Sequence, residues 1–159
     1  MPETEGKHAP IRQSVRVDCP IEETFQFFTE RFDEWWPLAS HSIAGAEAES
    51  CTIEPWTGGR VFERTRSGEE HEWGCVTAWD PPRRLAFTWH PAAGDDRDQV
   101  VDVEFRVEAD GTRVTLTHCG WHRAGAQACA QHAHSTAQWS NILRLCFAEF
   151  VSARMLVAV

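Results

Sequence analysis

This sequence of 159 residues lacks the features that define several special classes of protein. No run of apolar residues approaches the length of about 18 that a membrane-spanning helix needs, so we expect no membrane partner. Residues 1–10 are polar and contain no hydrophobic signal region, which indicates a cytoplasmic protein. The six cysteines form no C-x-x-C pair, and their scatter favours reduced thiols over a disulfide framework.

Positive charge is scarce as well. With 15 basic and 24 acidic residues the formal charge is −9, which repels polyanions, and we therefore expect no nucleic-acid partner. The chain is 42% hydrophobic and 25% charged, a composition that argues against long disorder and coiled coils. Its length suits one domain, and we predict a polar leader at residues 1–10 and a single domain at residues 11–159.

Motifs of several common chemistries are absent. There is no G-x-S-x-G, G-x-x-x-x-G-K or G-x-G-x-x-G segment, so hydrolase, nucleotide-binding and dinucleotide-binding functions have no local support. Histidines and cysteines gather between His118 and His134, where Cys129 and His132 have the i, i+3 spacing of one helical face. His132 and His134 would point apart on that helix and no carboxylate completes the set, so we expect no metal and no cofactor.

Tyrosine is missing altogether, whereas the chain has eight tryptophans and nine phenylalanines. Rings of this size either fill a large core or line a cavity for an apolar guest. Composition alone does not separate these two uses.

Hydrophobic spacing predicts helices near both ends of the chain, after an opening strand at Ile11–Val17. A first helix is predicted from Pro20, with a second short helix before Pro37 and a loop at residues 38–49. The apolar positions of the first helix are Ile21, Phe25, Phe28 and Phe32. A long C-terminal helix has one broad apolar stripe, formed by Trp139, Ile142, Leu143, Cys146, Phe147, Phe150 and Val151.

Between these helices, short extended runs separated by turn residues predict an antiparallel meander. The strands are predicted at residues 50–54, 60–66, 71–79, 84–90, 100–109 and 112–119. The turn at Asp110-Gly111 predicts a tight hairpin with its apolar residues on one face. These residues are Val103, Phe105, Val107, Val114 and Leu116. The C-terminal helix needs an apolar surface, so we predict an α+β fold in which a twisted antiparallel sheet wraps around it.

Five motifs in order extend over most of the chain: E-W-W-P at 34–37, G-G-R at 58–60 with Glu63, D-P-P-R-R-L-A-F-T-W at 80–89, D-G-T-R-V-T-L-T-H at 110–118, and Gly120-Trp121. With the order of elements, they resemble the helix-grip fold of the START-like SRPBCC superfamily. The motifs resemble the branch named after the activator of the heat-shock-protein ATPase, which also includes an enediyne self-sacrifice resistance protein. The resemblance implies a hydrophobic cavity between the sheet and the final helix, and a choice among ligand binders, cyclases, chaperone cofactors and resistance proteins.

Aromatic and aliphatic residues that can point into this cavity form the predicted ligand-binding site. They are Trp36, Val61, Trp73, Phe87, Trp89, Val103, Phe105, Leu116, His118, Trp139, Leu143 and Phe147. Such walls suit flat hydrophobic or aromatic guests, although the same residues can instead pack against one another as a core.

Two titratable residues are candidates for catalysis. Alternation puts His118 on the face of Val114 and Leu116, where it either contacts a ligand or is a core histidine with satisfied hydrogen bonds. Glu63 either enters the pocket or pairs with an arginine at its rim. If both residues face the cavity, they form an acid–base pair that can move protons next to a carbonyl.

These observations favour noncatalytic binding of a small hydrophobic or aromatic molecule. A cyclase or dehydratase that uses the same cavity is the first alternative, and a protein-interaction module of the chaperone-regulator kind is the second. We expect the chain to be a monomer or a homodimer.

Overall fold

The computed structural model of this protein describes residues 10–89, 99–119 and 128–157, and for residues 128–134 and 157 it describes the backbone alone. The strands of the described residues are β1 (Ile11–Val17), β2 (Ala48–Ile53), β3 (Arg60–Thr65), β4 (Glu70–Asp80), β5 (Arg84–Thr88), β6 (Val100–Glu108) and β7 (Gly111–Cys119). They form one curled antiparallel sheet in the order β1-β7-β6-β5-β4-β3-β2. The meander thus runs from β2 to β7, and β1 adds to its far edge.

Besides this sheet, the described residues form four α-helices and a 3₁₀ helix at Gly45–Glu47. The α-helices are α1 (Ile21–Thr29), α2 (Phe32–Trp35), α3 (Ala128–Asn141) and α4 (Glu149–Val157), and a π-helical stretch at Ile142–Ala148 joins α3 to α4 as one C-terminal helix. No described helix is long and apolar enough to cross a membrane. The predicted helix-grip architecture, a curled sheet around a long C-terminal helix, is confirmed.

The predicted elements agree with the observed ones within about two residues, with two local differences in the helices. Phe32, which was expected to continue the first helix, begins α2 instead, and Pro20 caps α1 rather than being its first residue. The expected strand at residues 84–90 ends at Thr88, and His90 lies outside the described residues.

Alternation along the central strands puts one face of the sheet against the helices. Val101, Val103 and Phe105 of β6 are buried, and so are Val114 and Leu116 of β7. Each fully buried side chain of this size contributes about 1.5–3 kcal/mol relative to an exposed one. The sheet and the C-terminal helix therefore share one hydrophobic core.

The C-terminal helix turns its buried face toward this core with a repeat of four residues. Trp139, Leu143, Phe147 and Val151 are at most 5% exposed, whereas Cys146 and Phe150, both predicted in the stripe, are only partly buried. In a regular α-helix a four-residue repeat drifts by about 40° per step, since the period is 3.6. The wider π-helical turn at Ile142–Ala148 offsets this drift and keeps all four residues inward.

The hairpin between β6 and β7 corrects two expectations. Glu108 pairs with Gly111, so the turn residues are Ala109 and Asp110 rather than Asp110 and Gly111. Gly111 is the first residue of β7, where a Cβ atom would lie 2.2 Å from the carbonyl oxygen of Val17. Val107 was expected in the core but is 63% exposed, because the aromatic side chains of α1 cover this face only as far as Phe105.

Gly74 of β4 allows an unusually close approach of the neighbouring strand. A Cβ atom at this position would lie 1.7 Å from the carbonyl oxygen of Thr88 on β5. The Thr88 hydroxyl also accepts a hydrogen bond of 2.9 Å from the amide of Cys75. This contact fixes the spacing of Trp73 and Trp89, which lie next to the two contacting residues.

Gly74→Ala is expected to destabilise the fold by at least about 3 kcal/mol, because β4 and β5 must separate to accommodate the methyl group. Urea unfolding followed by circular dichroism measures the loss. Gly68→Ala is the matched control, since no atom lies within 4 Å of that position and only its φ of 92° opposes alanine, at about 1 kcal/mol. Equal losses in the two variants would contradict this account of Gly74.

Candidate functional site

Four tryptophans from separate parts of the chain meet between the sheet and the C-terminal helix. We call Trp36, Trp73, Trp89 and Trp139 the tryptophan cluster. The ring centroid of Trp36 lies 5.5 Å from that of Trp73, 5.8 Å from that of Trp89 and 5.9 Å from that of Trp139. Trp89 also contacts Trp73 at 6.0 Å and Trp139 at 5.3 Å. Trp36 and Trp89 are thus the central rings, with Trp73 and Trp139 at the two ends.

The fold explains how each indole reaches the cluster. Trp36 directly follows α2, where its extended backbone and the following Pro37 end the helix. Trp73 lies on β4 and Trp89 follows β5, so the adjacent strands present them side by side. Trp139 belongs to α3, two residues before that helix ends. All four are between 0% and 8% exposed.

Glu63 of β3 lies at the Trp73 end of the cluster and is fully buried. Its Oε1 atom accepts hydrogen bonds from Trp73 Nε1 at 2.6 Å and from the amide of Ile43 at 2.5 Å. Its Oε2 atom accepts one from the amide of Ala44 at 2.8 Å. Three donors therefore hold a buried carboxylate in place, which is the arrangement that a charge needs in an apolar interior.

His118 of β7 lies at the Trp139 end and is 2% exposed. Trp139 Nε1 donates to His118 Nδ1 at 3.0 Å, and His118 Nε2 lies 2.9 Å from Gln99 Oε1. An indole N–H only donates, so Nδ1 is the acceptor and the imidazole proton is on Nε2, which donates to Gln99. The contacts thus define a neutral imidazole with an N–H group at Nε2.

The structure places every residue of the predicted ligand site in the interior. Trp36, Val61, Trp73, Phe87, Trp89, Val103, Phe105, Leu116, His118, Trp139, Leu143 and Phe147 are all less than 9% exposed. The rings of the described residues contact one another throughout this interior, so the arrangement observed here is largely filled by the protein's own side chains. Their role toward a ligand stays a prediction.

The two candidate catalytic residues are both buried, but they bond to different indoles. Glu63 bonds to Trp73 and His118 to Trp139, and among the described residues no hydrogen bond joins the two candidates. Gln99 and the amides of Ile43 and Ala44 were missed by sequence reasoning. Every residue except proline has a backbone amide, so residue type does not identify the amides that bind Glu63. Gln99 follows a stretch with no hydrophobic period, so its orientation could not be predicted.

Cys51, Cys119 and Cys146 are poor nucleophiles. Burial raises the pKa of the Cys51 thiol, and the carboxylates of Asp33 and Glu63 raise it further. Desolvation by burial also raises the pKa values of Cys119 and Cys146. A thiol must ionise to attack, so these shifts oppose a catalytic role.

Metal ligands do not gather within the described part of the chain: no three His, Cys, Asp or Glu side chains come together there. Of the predicted histidine and cysteine cluster, residue His122 and the side chains of Cys129, His132 and His134 lie outside the description. A groove of about 410 Å³ lies on the outer face of the sheet, lined by Arg12, Ser14, Glu104, Arg106, Arg113 and Thr115. This polar lining does not suit an apolar guest.

Sheet, C-terminal helix and an aromatic interior between them define the START-like helix-grip class. A family profile described as Activator of Hsp90 ATPase homolog 1-like protein matches residues 18–146. The chain belongs to this family. None of the curated proteins matches it.

Solved structures give further similarities. The anthrahydroquino-gamma-pyrone synthase Txn09, solved with a compound designated SUM, is 37% identical over 79% of this chain and 86% of its own, with a TM-score of 0.54. The AHSA1-like protein from Aeromonas hydrophila is 23% identical over 93% and 95%, with a TM-score of 0.65. The Aha1 dimer from Colwellia psychrerythraea is 16% identical over 85% and 90%, with a TM-score of 0.60. The last two support the fold alone.

Trp139→Phe is expected to destabilise the protein by about 2 kcal/mol, because it removes the indole N–H that donates to the buried Nδ1 of His118. Trp79→Phe is the control, since this half-buried indole makes no hydrogen bond within the described residues. Denaturant unfolding measures both variants. Long-range ¹H–¹⁵N spectra should show His118 protonated at Nε2 in the unmodified protein, and protonation at Nδ1 would contradict the assignment.

Proposed function

We propose that this protein binds a planar polycyclic aromatic molecule, which stacks on Trp89 and Trp139 at the polar end of the tryptophan cluster. The observation that carries the proposal is the cluster itself, four buried indoles between the sheet and the C-terminal helix. Flat aromatic faces bind other flat rings through offset and edge contacts of the kind these indoles make with one another.

The polar groups beside Trp89 and Trp139 also favour binding of a polycyclic aromatic molecule that carries oxygen atoms. His118 offers an N–H donor and Gln99 an amide at this end, so a guest with ring carbonyls or phenols finds partners there. The Trp89 indole makes no hydrogen bond within the described residues, which leaves its N–H for a polar atom of the guest. An anthraquinone combines a flat apolar body with such oxygens.

The similarity to the pyrone synthase also supports this substrate class. At 37% identity over most of both chains, Txn09 is close enough for a shared kind of ligand to be a reasonable proposal. Its name describes a product built on an anthrahydroquinone. We therefore use an anthraquinone as the test compound.

Binding of 1,8-dihydroxyanthraquinone is expected to release heat in calorimetry and to quench tryptophan fluorescence. Trp89→Leu should weaken the affinity about tenfold, since the aromatic contact is lost in addition to apolar area. Trp56→Leu is the control, because Trp56 is 53% exposed and lies outside the cluster. Absence of binding, or equal affinity in both variants, would overturn the proposal.

Ring closure on such a guest is the second candidate function, and the synthase activity in the name of Txn09 favours it. A γ-pyrone forms when a phenol oxygen adds to a side-chain carbonyl and water is lost. The Nε2–H group of His118, released from Gln99, would donate a hydrogen bond to that carbonyl as negative charge develops on its oxygen. Glu63 is given no role in this step, because it lies at the Trp73 end of the cluster and His118 at the Trp139 end.

An anthraquinone with a phenol next to a 1,3-diketone side chain is the substrate that tests this activity. The protein should accelerate its dehydration to the pyrone, and His118→Gln should lower the rate about a hundredfold. His71→Gln is the control, because His71 is a half-buried histidine of β4 whose Nε2 atom lies 3.9 Å from a carboxylate oxygen of surface residue Glu69. Tight binding without product in liquid chromatography would leave binding as the function.

A further inference from the structure

The segment of residues 37–47, between α2 and β2, is packed differently from its surroundings. None of its side chains is fully buried, and Ile43 is 39% exposed. Trp35 and Trp36, directly before it, are buried, and the first buried residue after it is Cys51. A segment with few buried apolar contacts has little stability of its own and opens more readily than the core.

Polar contacts hold this segment against the interior. Its internal hydrogen bonds, from Ser42 Oγ to the Leu38 carbonyl at 2.6 Å and from the Gly45 amide to Ser42 Oγ at 2.9 Å, shape the loop without attaching it. Attachment comes from the bonds of Ile43 and Ala44 to Glu63, with further bonds from Trp36 to the His41 carbonyl and from the Arg66 amide to the Glu47 carbonyl.

Glu63 makes the strongest of these attachments. Hydrogen bonds to an ionised acceptor are about twice as strong as those between neutral groups, and this carboxylate accepts two from neighbouring amides of the segment. The same Oε1 atom also holds the indole of Trp73. One side chain therefore connects the segment directly to the tryptophan cluster.

Trp36 gives the segment a second connection to the cluster. Its Nε1 atom donates to the carbonyl oxygen of His41 at 2.8 Å, and its ring contacts Trp73, Trp89 and Trp139. When the segment moves away, Trp36 loses its hydrogen-bond acceptor. The space that Trp36 occupies beside Trp89 and Trp139 can then be taken by another flat ring.

We propose that residues 37–47 are a lid over the tryptophan cluster, and that Glu63 is the positioning residue that keeps it closed. The guest enters when the lid opens and takes the place of Trp36. The identity of the guest rests on the proposed function, whereas the attachment of the lid by Glu63 does not.

The lid is tested first without any ligand. Glu63→Gln keeps the size of the side chain but replaces one acceptor oxygen by an NH₂ donor, so at least one of the three N–H groups loses its partner. Hydrogen exchange of the amides in residues 38–47 should become about tenfold faster, with exchange in β6 and β7 unchanged. Acrylamide quenching should also increase, measured with Trp56→Phe present to remove the exposed indole.

Two further variants separate this effect from a general loss of stability. Ala44→Pro removes an N–H donor on the lid side and leaves the core intact, and the φ of −86° at Ala44 is close to that of proline. It should reproduce the faster exchange of Glu63→Gln. Glu47→Gln removes the same charge from an exposed lid residue and should behave like the unmodified protein. Unchanged exchange in both Glu63→Gln and Ala44→Pro overturns the proposal.

The gating role is tested by the rate at which 1,8-dihydroxyanthraquinone binds, followed by stopped-flow fluorescence. The association rate constant should rise about tenfold in Glu63→Gln and Ala44→Pro and stay unchanged in Glu47→Gln. Faster lid exchange with an unchanged association rate overturns the gating role. If the compound does not bind the unmodified protein, the proposed function fails, and the exchange and quenching results still decide whether Glu63 holds the lid.

Discussion

Three of the four indoles in the tryptophan cluster donate their buried N–H groups to an acceptor on another element, and these hydrogen bonds organise the interior of the protein. Trp73 donates to Glu63, Trp139 to His118 and Trp36 to the carbonyl oxygen of His41. Each acceptor lies on a different element, so satisfying the tryptophans also fixes a strand, a second strand and a loop. An unsatisfied donor of this kind costs about 1–3 kcal/mol, which explains why such bulky residues bring polar partners into the core. Glu63 and His118, the two candidates for catalysis, are therefore also the hydrogen-bond acceptors that the buried indoles of Trp73 and Trp139 need.

The sequence predicts the architecture well because the signals involved are local and periodic. Alternation correctly placed Val103, Phe105, Val114 and Leu116 on the inner face of the sheet. Alternation of residues along a strand does not reveal β-bulges, at which the pairing of two strands shifts. The pairing of β3 with β4 inserts an extra residue, Trp73, into β4, and on β3 three consecutive residues, Val61 to Glu63, are buried. The arginine of residue 60 covers the outer face of Phe62, with its guanidinium carbon 4.1 Å from the ring centroid.

The candidate site was predictable in its residue types but not in its connections. Tryptophans and phenylalanines at inward positions are enough to locate the aromatic interior. Two of the three donors to Glu63 are backbone amides twenty and nineteen residues away, and no feature of residue type marks such donors. For Gly111 the residue type was noticed but its reason was wrong. The sequence suggested a turn residue, whereas the structure requires glycine there because the backbone of Val17 lies so close.

The π-helical stretch at Ile142–Ala148 makes the two halves of the C-terminal helix depend on each other. Each residue of an α-helix advances the chain by about 100° around its axis. Loss of a single residue in this stretch would therefore rotate all of α4 relative to Trp139 and turn Val151 away from the core. Insertions and deletions should therefore be tolerated in the surface turns of this protein before they are tolerated in this stretch of the helix.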